Sequence, residues 1–325
     1  MNLNIFKITI LVFLANIVLF FMLVQNINLF NKSLNISFLT NLDDNKILVL
    51  YSYIEKNAFY VETLQYFIDF GVEKSKNIDY VFIIQGGNCS AKIPNFSNVK
   101  VIKRPNTCFS FGAFGKAIDQ LGGKNFIEKY KFIIFLNPSV VGPILPKYWP
   151  ENLHWTHVFA SRLKENVHAV GTSIVCLPES DRGGLGPRIE GFAFAASSLA
   201  VSLTYDDRVF SCKKDKVDDI LTGEYGFTKT LLKNGLNIDS LLLKYGKVDW
   251  RDRNNWVCNR KTHPSRLNAY EGISINPLEV VFHKPVWDAF GKVLPDVHLT
   301  EIKKYIRWSK LRSKSLTNHS SVDLI

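Results

Sequence analysis

Short apolar runs alternate with longer segments of helical period through the first half of the chain, from residue 46 to residue 174. Residues 46–53 (KILVLYSY) predict a buried strand, being a run of apolar residues too short for a helix. Residues 58–74 follow with Phe59, Leu64, Phe67 and Ile68 at helical spacing. Residues 79–85 (DYVFIIQ) predict a second strand closed by Gly86 and Gly87, and residues 98–103 (NVKVIK) a third. A fourth is expected over residues 131–136, where the apolar run ends at Asn137 and the chain turns through Pro138, Gly142, Pro143 and Pro146. A helix would not tolerate those prolines. Residues 167–174 predict a fifth strand. Strands alternating with helices define an α/β class with a mostly parallel sheet and right-handed crossovers. Ligands of such open sheets sit just past the carboxyl ends of the strands, the place that Asn137 and Ser139 occupy.

The second half is less regular. Residues 178–191 (PESDRGGLGPRIEG) form a Gly-rich, charged stretch without apolar period, long enough to be read as a functional or mobile loop. Residues 190–196 suit another strand. Residues 218–233 read as a helix, with Thr222 as N-cap, Glu224 in the first turn and Asn234-Gly235 as the stop. Residues 278–282 (LEVVF) predict a final strand delivering His283 at its end. Residues 300–314 are expected to form a basic helix whose Ile302, Ile306 and Trp308 pack on the body or rest at a membrane surface.

Residues 8–24 (ITILVFLANIVLFFMLV) are unbroken by charge and approach the ~20 residues that span a bilayer. The following QNINLFNKS lacks the small-x-small pattern of a cleavage site, so an uncleaved anchor is expected. The implied organisation is a cytosolic tail (1–7), a transmembrane signal anchor (8–25), a polar stem (26–45), a lumenal catalytic domain (46–295) and a basic C-terminal helix and tail (296–325). Asn-x-Ser sequons at Asn31, Asn35, Asn88, Asn95 and Asn318 all fall on the lumenal side, as this topology requires.

Composition changes this picture little. Hydrophobic residues at 46% and charged residues at 21% fit a globular body. The net charge of +11 is scattered until residues 303–314 rather than gathered on one face, which argues against nucleic acid and for a basic surface attractive to phosphate-bearing ligands or anionic headgroups. The five cysteines, Cys89, Cys108, Cys176, Cys212 and Cys258, contain no CxxC pair and permit two disulfides with one thiol left over. P-loop, GxSxG, HExxH and Rossmann GxGxxG patterns are absent. Gly112 and Gly115 near a helix start allow close backbone approach, whether of a phosphate or of a packed neighbour. His154 and His157 are read as helix-surface residues without a third ligand. Trp149, Trp155, Trp250 and Trp256 suit either sugar stacking or core packing.

Two blocks, RPNTCFSFGAFGKAI (104–118) and YKFIIFLNPSVVGPILP (130–146), resemble the paired motifs of the rhamnan-synthesis-type glycosyltransferases and related eukaryotic transferases. Those proteins carry an N-x-x-x-D-F-G-A block followed by a strand ending in N-x-S-V-x-G-P. EYGFTKTLLKNGLNIDSLL (224–242) and NPLEVVFHKP (276–285) are similar to later blocks of the eukaryotic members. The resemblance implies a GT-A-like, nucleotide-diphospho-sugar transferase fold. It implies a nucleotide-sugar donor, a glycan or glycoprotein acceptor, and a type II protein of the Golgi or ER membrane. Asn137 and Ser139 then stand where such enzymes carry a metal-binding D-x-D, residues 183–191 supply the Gly-rich loop, Glu224 is the catalytic acid residue and His283 the late histidine. Arg104, Asn106, Gly112 and Arg188 are the further donor-binding candidates. Mn²⁺ or Mg²⁺ is the cofactor implied, with His283 as its candidate ligand. The chain departs from the pattern in having no D-x-D and in carrying Ser110 at the Asp position of the first block. Those departures keep open a catalytically silent relative that binds glycan or nucleotide; outside this class the alternative is a membrane-tethered adhesion or structural protein.

Overall fold

The structure, a computed structural model, describes residues 46–285 and 303–310. The expected tail, anchor and stem, residues 1–45, lie outside the described residues. Nine strands are present among the described residues: β1 (Ile47–Ile54), β2 (Ile78–Gln85), β3 (Val99–Arg104), β4 (Phe132–Leu136), β5 (Val167–Gly171), β6 (Ile174–Leu177), β7 (Gly186–Ile189), β8 (Ala193–Ser197) and β9 (Asn237–Ser240). The main helices are α1 (Ala58–Gly71), α2 (Ser110–Leu121), α3 (Ser198–Asp206) and α4 (Tyr225–Lys233).

Seven strands make one sheet in the order β3-β2-β1-β4-β8-β5-β9, and β6 pairs with β7 in a separate ribbon. The first four strands are parallel, with Ile47 opposite both Ile78 and Phe132. β1, β2 and β4 are apolar on both faces and buried almost throughout, which requires helices above and below. Edge strand β3 instead carries Lys100, Lys103 and Arg104, charges that discourage further pairing. The start of α1 is fixed by Asn57, whose Oδ1 accepts from the Tyr60 amide at 3.0 Å.

One strand is reversed. β8 runs antiparallel to β4 and to β5, while β9 returns parallel to β5. The cause is local: β5 leads through Thr172 and Ser173 directly into the antiparallel β6–β7 ribbon. That ribbon leaves the chain at the carboxyl edge of the sheet, so the next strand has to run back. The sheet is therefore mostly rather than wholly parallel.

Phe111, Phe135, Phe194 and Phe210 stack within 12–15° of parallel at the centre of the core. This brings α2 onto the sheet so closely that its glycines are required. A Cβ on Gly115 would lie 2.0 Å from the Phe210 carbonyl oxygen, and one on Gly112 would lie 2.9 Å from the Cys108 Cβ and 3.0 Å from the Cys212 Cα. Both glycines thus serve helix packing. Disulfides join Cys108 to Cys212 and Cys176 to Cys258, leaving Cys89 as a thiol.

Several sequence expectations change. Residues 178–191 are not a long open loop, because β7 occupies their second half and pairs with β6. Residues 278–282 do not form a strand: Asn276 caps a short helix (Pro277–Val280) by accepting from the Leu278 amide, Pro277 takes the first helical position, and Val281 has φ +62°. Residues 216–233 are helical from Asp215 onward, whose side chain accepts from the Asp218 amide at 2.9 Å. Thr222 is accordingly mid-helix and bonds back to the Asp218 carbonyl rather than capping. His157 is buried and the His154 side chain is only 11% exposed, so neither is a surface residue, and burial, reinforced by His157, holds the His154 imidazole down at about 3. Trp155 and Trp250 are core residues, while the indole N–H groups of Trp149 and Trp256 donate to the carbonyls of Leu153 and Trp250. Residues 303–310 are helical, with Tyr305 and Ile306 packed beside Tyr66, Val141 and Ile144 and Trp308 exposed.

The packing of α2 is testable at one atom. Gly115→Ala is expected to cost about 3 kcal/mol of stability in urea denaturation, the upper part of the range for overpacking a tight contact. A loss below about 0.5 kcal/mol, typical of a surface site, would show that α2 does not sit against Phe210 as described.

Candidate functional site

From β1 the chain moves outward to β2 and β3, and β4 then pairs on the opposite side of β1. Crossovers on the two sides of the β1–β4 boundary diverge, and a crevice opens past the carboxyl ends of those strands. A cavity of about 610 Å³ lies there, within the range of small-molecule sites. Ser52, Ile54 and Lys56 reach it from the end of β1, Gln85 from the end of β2, Asn106 and Phe109 from the β3–α2 connection, and Asn137 and Ser139 from the end of β4. Because β8 is reversed, its beginning lies at the same edge: Ala193 is opposite Leu136, and the Asn137 amide donates to the Phe192 carbonyl at 3.1 Å. Glu190, Gly191 and Phe192 thereby join the wall.

The opposite wall is helical. A turn of α-helix (Lys216–Asp218) passes into a π segment (Asp219–Glu224) and then into α4. In an α-helix residues five apart point about 140° away from each other; the i→i+5 pattern of a π segment brings them to one face. Asp219 and Glu224 consequently both line the cavity, together with Lys216, Ile220 and Tyr225. Glu224 lies at the end of the π segment rather than in a first helical turn, and its Oε1 accepts from the Gly191 amide at 2.9 Å. His263 and Lys284 complete the wall.

Of the residues singled out in the sequence, the cavity brings together Asn106, Asn137, Ser139 and Glu224. Arg104 stands just behind them, donating to Gln85 Oε1 at 3.3 Å and to the hydroxyl of Thr107. Gly112 faces the Cys108–Cys212 disulfide instead. Arg188 is buried away from the cavity, where its guanidinium donates to the carbonyls of Pro187, Gly183 and Gly184. Burial in that cage lowers its pKa to about 10. His283 is buried as well and bridges Val141 through its backbone, with N–H···O distances of 2.8 and 2.9 Å. Its neighbour Lys284 reaches the cavity in its place, with Nζ 4.8 Å from the centre of the Phe192 ring.

The residues that sequence reasoning missed are Glu190, His263, Lys284, Lys216 and Asp219. Glu190 and Lys284 lie within residues 178–191 and 276–285, where Arg188 and His283 drew the assignment instead, and His263 comes from an irregular segment far along the chain. The π segment that brings Asp219 onto the face of Glu224 has no signature in apolar spacing.

Electrostatically the site balances buried carboxylates against lysines. Burial pushes the Asp219 carboxyl up and Lys216, 3.0 Å away, partly offsets this. Burial pushes the Lys284 ammonium down against the pull of Glu190 and Glu224. Glu190 is 3% exposed. Burial raises its pKa, but hydrogen bonding and charge from His263, with help from Ser173 and Lys284, prevail and hold it below the ordinary carboxylate range.

Mn²⁺ and Mg²⁺ take hard oxygen ligands, mainly carboxylates, carbonyls and water. Asn137 Oδ1 is already taken, accepting from the Ser139 amide at 3.0 Å and the Ser139 hydroxyl at 2.6 Å. That assignment turns the Asn137 NH₂, a donor, toward any ligand. Glu190, Asp219 and Glu224 are each engaged by protein donors, and no group of three or more His, Cys, Asp and Glu side chains converges on a metal position among the described residues. Asp219 Oδ1, by contrast, is buried without a hydrogen-bond partner, and His283 lies outside the cavity lining.

No protein-family model matches the chain, and no curated protein matches it.

The caging of Arg188 makes a prediction of its own. Arg188→Lys removes the fork that reaches three carbonyls and is expected to lower the unfolding free energy by about 1–3 kcal/mol in urea titrations. An unchanged midpoint would show that those carbonyls have other donors.

Proposed function

We propose that the chain is a membrane-anchored glycosyltransferase with a GT-A-like body, moving a sugar from a nucleotide-sugar donor to a hydroxyl of a glycan or glycoprotein in the Golgi or ER lumen. One observation carries the reading: the cavity at the β1–β4 switch point combines amide donors, lysines, aromatic faces and carboxylates around a volume of about 610 Å³. Asn106, Asn137 and Gln85 offer hydrogen bonds suited to a nucleotide and its sugar. Tyr60, Phe109 and Tyr225 offer flat surfaces for a base or a pyranose ring. Lys56, Lys216 and Lys284 offer positive charge for a diphosphate. The four motif islands of the resemblance support the same reading, since all four contribute residues to this cavity: Asn106 and Phe109, Asn137 and Ser139, Glu224 with Tyr225, and Lys284.

The chemistry follows from these groups. The acceptor hydroxyl attacks the anomeric carbon, the bond from that carbon to the phosphate oxygen breaks, and the diphosphate leaves with the electron pair. Lysine ammonium groups stabilise the charge that develops on it. The hydroxyl proton passes to a base in the cavity wall. A catalytically silent relative is the second reading, favoured by neutral Asn137 and Ser139 at the end of β4.

Thermal unfolding of the full chain with UDP, GDP or CMP tests the proposal. A nucleotide present at 100 times its dissociation constant adds about 2.7 kcal/mol of stability, and one of the three is expected to do so equally in Mn²⁺ and in EDTA. No response to any nucleotide would remove the reading. A response that requires Mn²⁺ would overturn the neutralisation by lysine.

A further inference from the structure

The best-organised titratable cluster in the molecule is not the one the motifs point to. Glu190 lies between β7 and β8 with its carboxylate enclosed by three donors. Ser173 Oγ and Ser265 Oγ donate to Oε2, the latter at 2.9 Å, and His263 Nδ1 lies 3.0 Å from Oε1. Glu190 is buried, and the side chain of His263 is 19% exposed. Both residues line the cavity.

The chemistry of the pair fixes the imidazole. An ionised carboxylate only accepts hydrogen bonds, so Nδ1 must carry the proton that bridges to Glu190. Nε2 is then the basic nitrogen of the ring. A buried anion on the Nδ1 side also stabilises the imidazolium that forms when Nε2 is protonated, the arrangement by which carboxylate–histidine pairs activate hydroxyl groups. The two serines hold the carboxylate in place, so the ring orientation is preset.

Glu224 stands in a different relation to the reaction. Its Oε1 is bonded to the amide of Gly191, the residue next to Glu190, and a Cβ on Gly191 would lie 2.7 Å from the Glu224 Cγ. Glu224 thus fixes the backbone that carries Glu190.

We propose that His263, oriented by Glu190, is the base that accepts the proton of the attacking hydroxyl, and that Glu224 positions the Glu190 backbone. This rests on the glycosyl-transfer reading. In the step, the hydroxyl oxygen bonds to the anomeric carbon as the bond to the leaving phosphate oxygen breaks. The electron pair departs with the diphosphate, and the proton moves to His263 Nε2, from which it is released to water. His263 is the catalytic residue of the pair; Glu190 and Glu224 are positioning residues.

Hydrolysis of a nucleotide sugar by the full chain provides the test, with water standing in for the acceptor hydroxyl. His263→Gln is expected to lower kcat by about 10²- to 10⁴-fold while the stabilisation by nucleotide persists. Glu190→Gln removes the anion, so the acidic limb of the pH–rate profile is expected to move to lower pH and the plateau to fall. Lys284, Lys216, Asp219, Glu224 and Tyr225 face the same cavity and set the limb with Glu190, but they are constant between these two proteins. A merely structural Glu190 would lower Tm and leave the limb in place. Side-chain ¹⁵N NMR of the unmodified chain gives a reading that needs no variant to fold. In the neutral ring the proton is expected on Nδ1 rather than Nε2, and the reverse tautomer would overturn the assignment. Three outcomes are then distinct. Nucleotide binding with a His263→Gln rate within threefold of wild type overturns the base and leaves glycosyl transfer standing. Binding without hydrolysis by the wild type overturns the base and favours the silent relative. No nucleotide binding overturns the glycosyl-transfer reading itself, and this reaction with it.

Discussion

The site depends on one buried anion. A carboxylate at 3% exposure is tolerated only when donors surround it, and the donors of Glu190 come from two separated parts of the chain: Ser173 between β5 and β6, and His263 and Ser265 from the irregular segment after β9. Satisfying that one charge therefore draws the β6–β7 ribbon, the start of β8 and the late segment to a single point. The Cys176–Cys258 disulfide joins the same ribbon to the same late segment, which limits how far the donors can withdraw. If the carboxylate lost these partners it would have to protonate or become solvated, and the cavity wall would open with it.

Sheet topology and this polar cluster are two views of the same constraint. A wholly parallel sheet would put the start of β8 at the edge away from the β1–β4 crevice. Reversal puts it beside Asn137, close enough for the Asn137 amide to donate to Phe192. The π segment then supplies the facing wall by turning both Asp219 and Glu224 inward. Two irregularities of this α/β body, the reversed strand and the widened helical turn, border the cavity. Such departures from ideal geometry gather where side chains must be aimed rather than merely packed.

Much of the frame was legible from residue pattern alone. The first four strands and α1 are specified by short runs such as Ile47–Ile54 and Phe132–Leu136 that no helix could use. Asn137 was placed at a strand end by the prolines that follow it. The expectation failed where a few polar contacts outweigh the apolar pattern. LEVVF at residues 278–282 has the composition of a strand, yet Asn276 and Pro277 nucleate a helical turn there. β9, Asn237–Ser240, has three polar side chains in four residues, and its strand character comes from the Val167–Gly171 partner rather than from its own sequence. Gly112 and Arg188 looked like ligand contacts because glycine and arginine serve that role often. In the fold one is pressed against a disulfide and the other is caged by three carbonyls. His263 could not have been paired with Glu190 beforehand, because 73 positions separate them and neither lies in a periodic segment.

The charge balance of the cavity follows from where each carboxylate is held. Were Glu190, Asp219 and Glu224 to converge on one point, their mutual repulsion would have to be met by a cation of double charge. They do not converge: Glu190 is enclosed by hydroxyls and an imidazole, Asp219 is paired with Lys216, and Glu224 holds a backbone amide. Asn137, engaged through its oxygen, turns donors outward at the position where anionic ligands would gather around a metal. The cavity wall therefore sets Lys56, Lys216 and Lys284 alongside Glu190, Asp219 and Glu224, with charge of both signs held apart around one space.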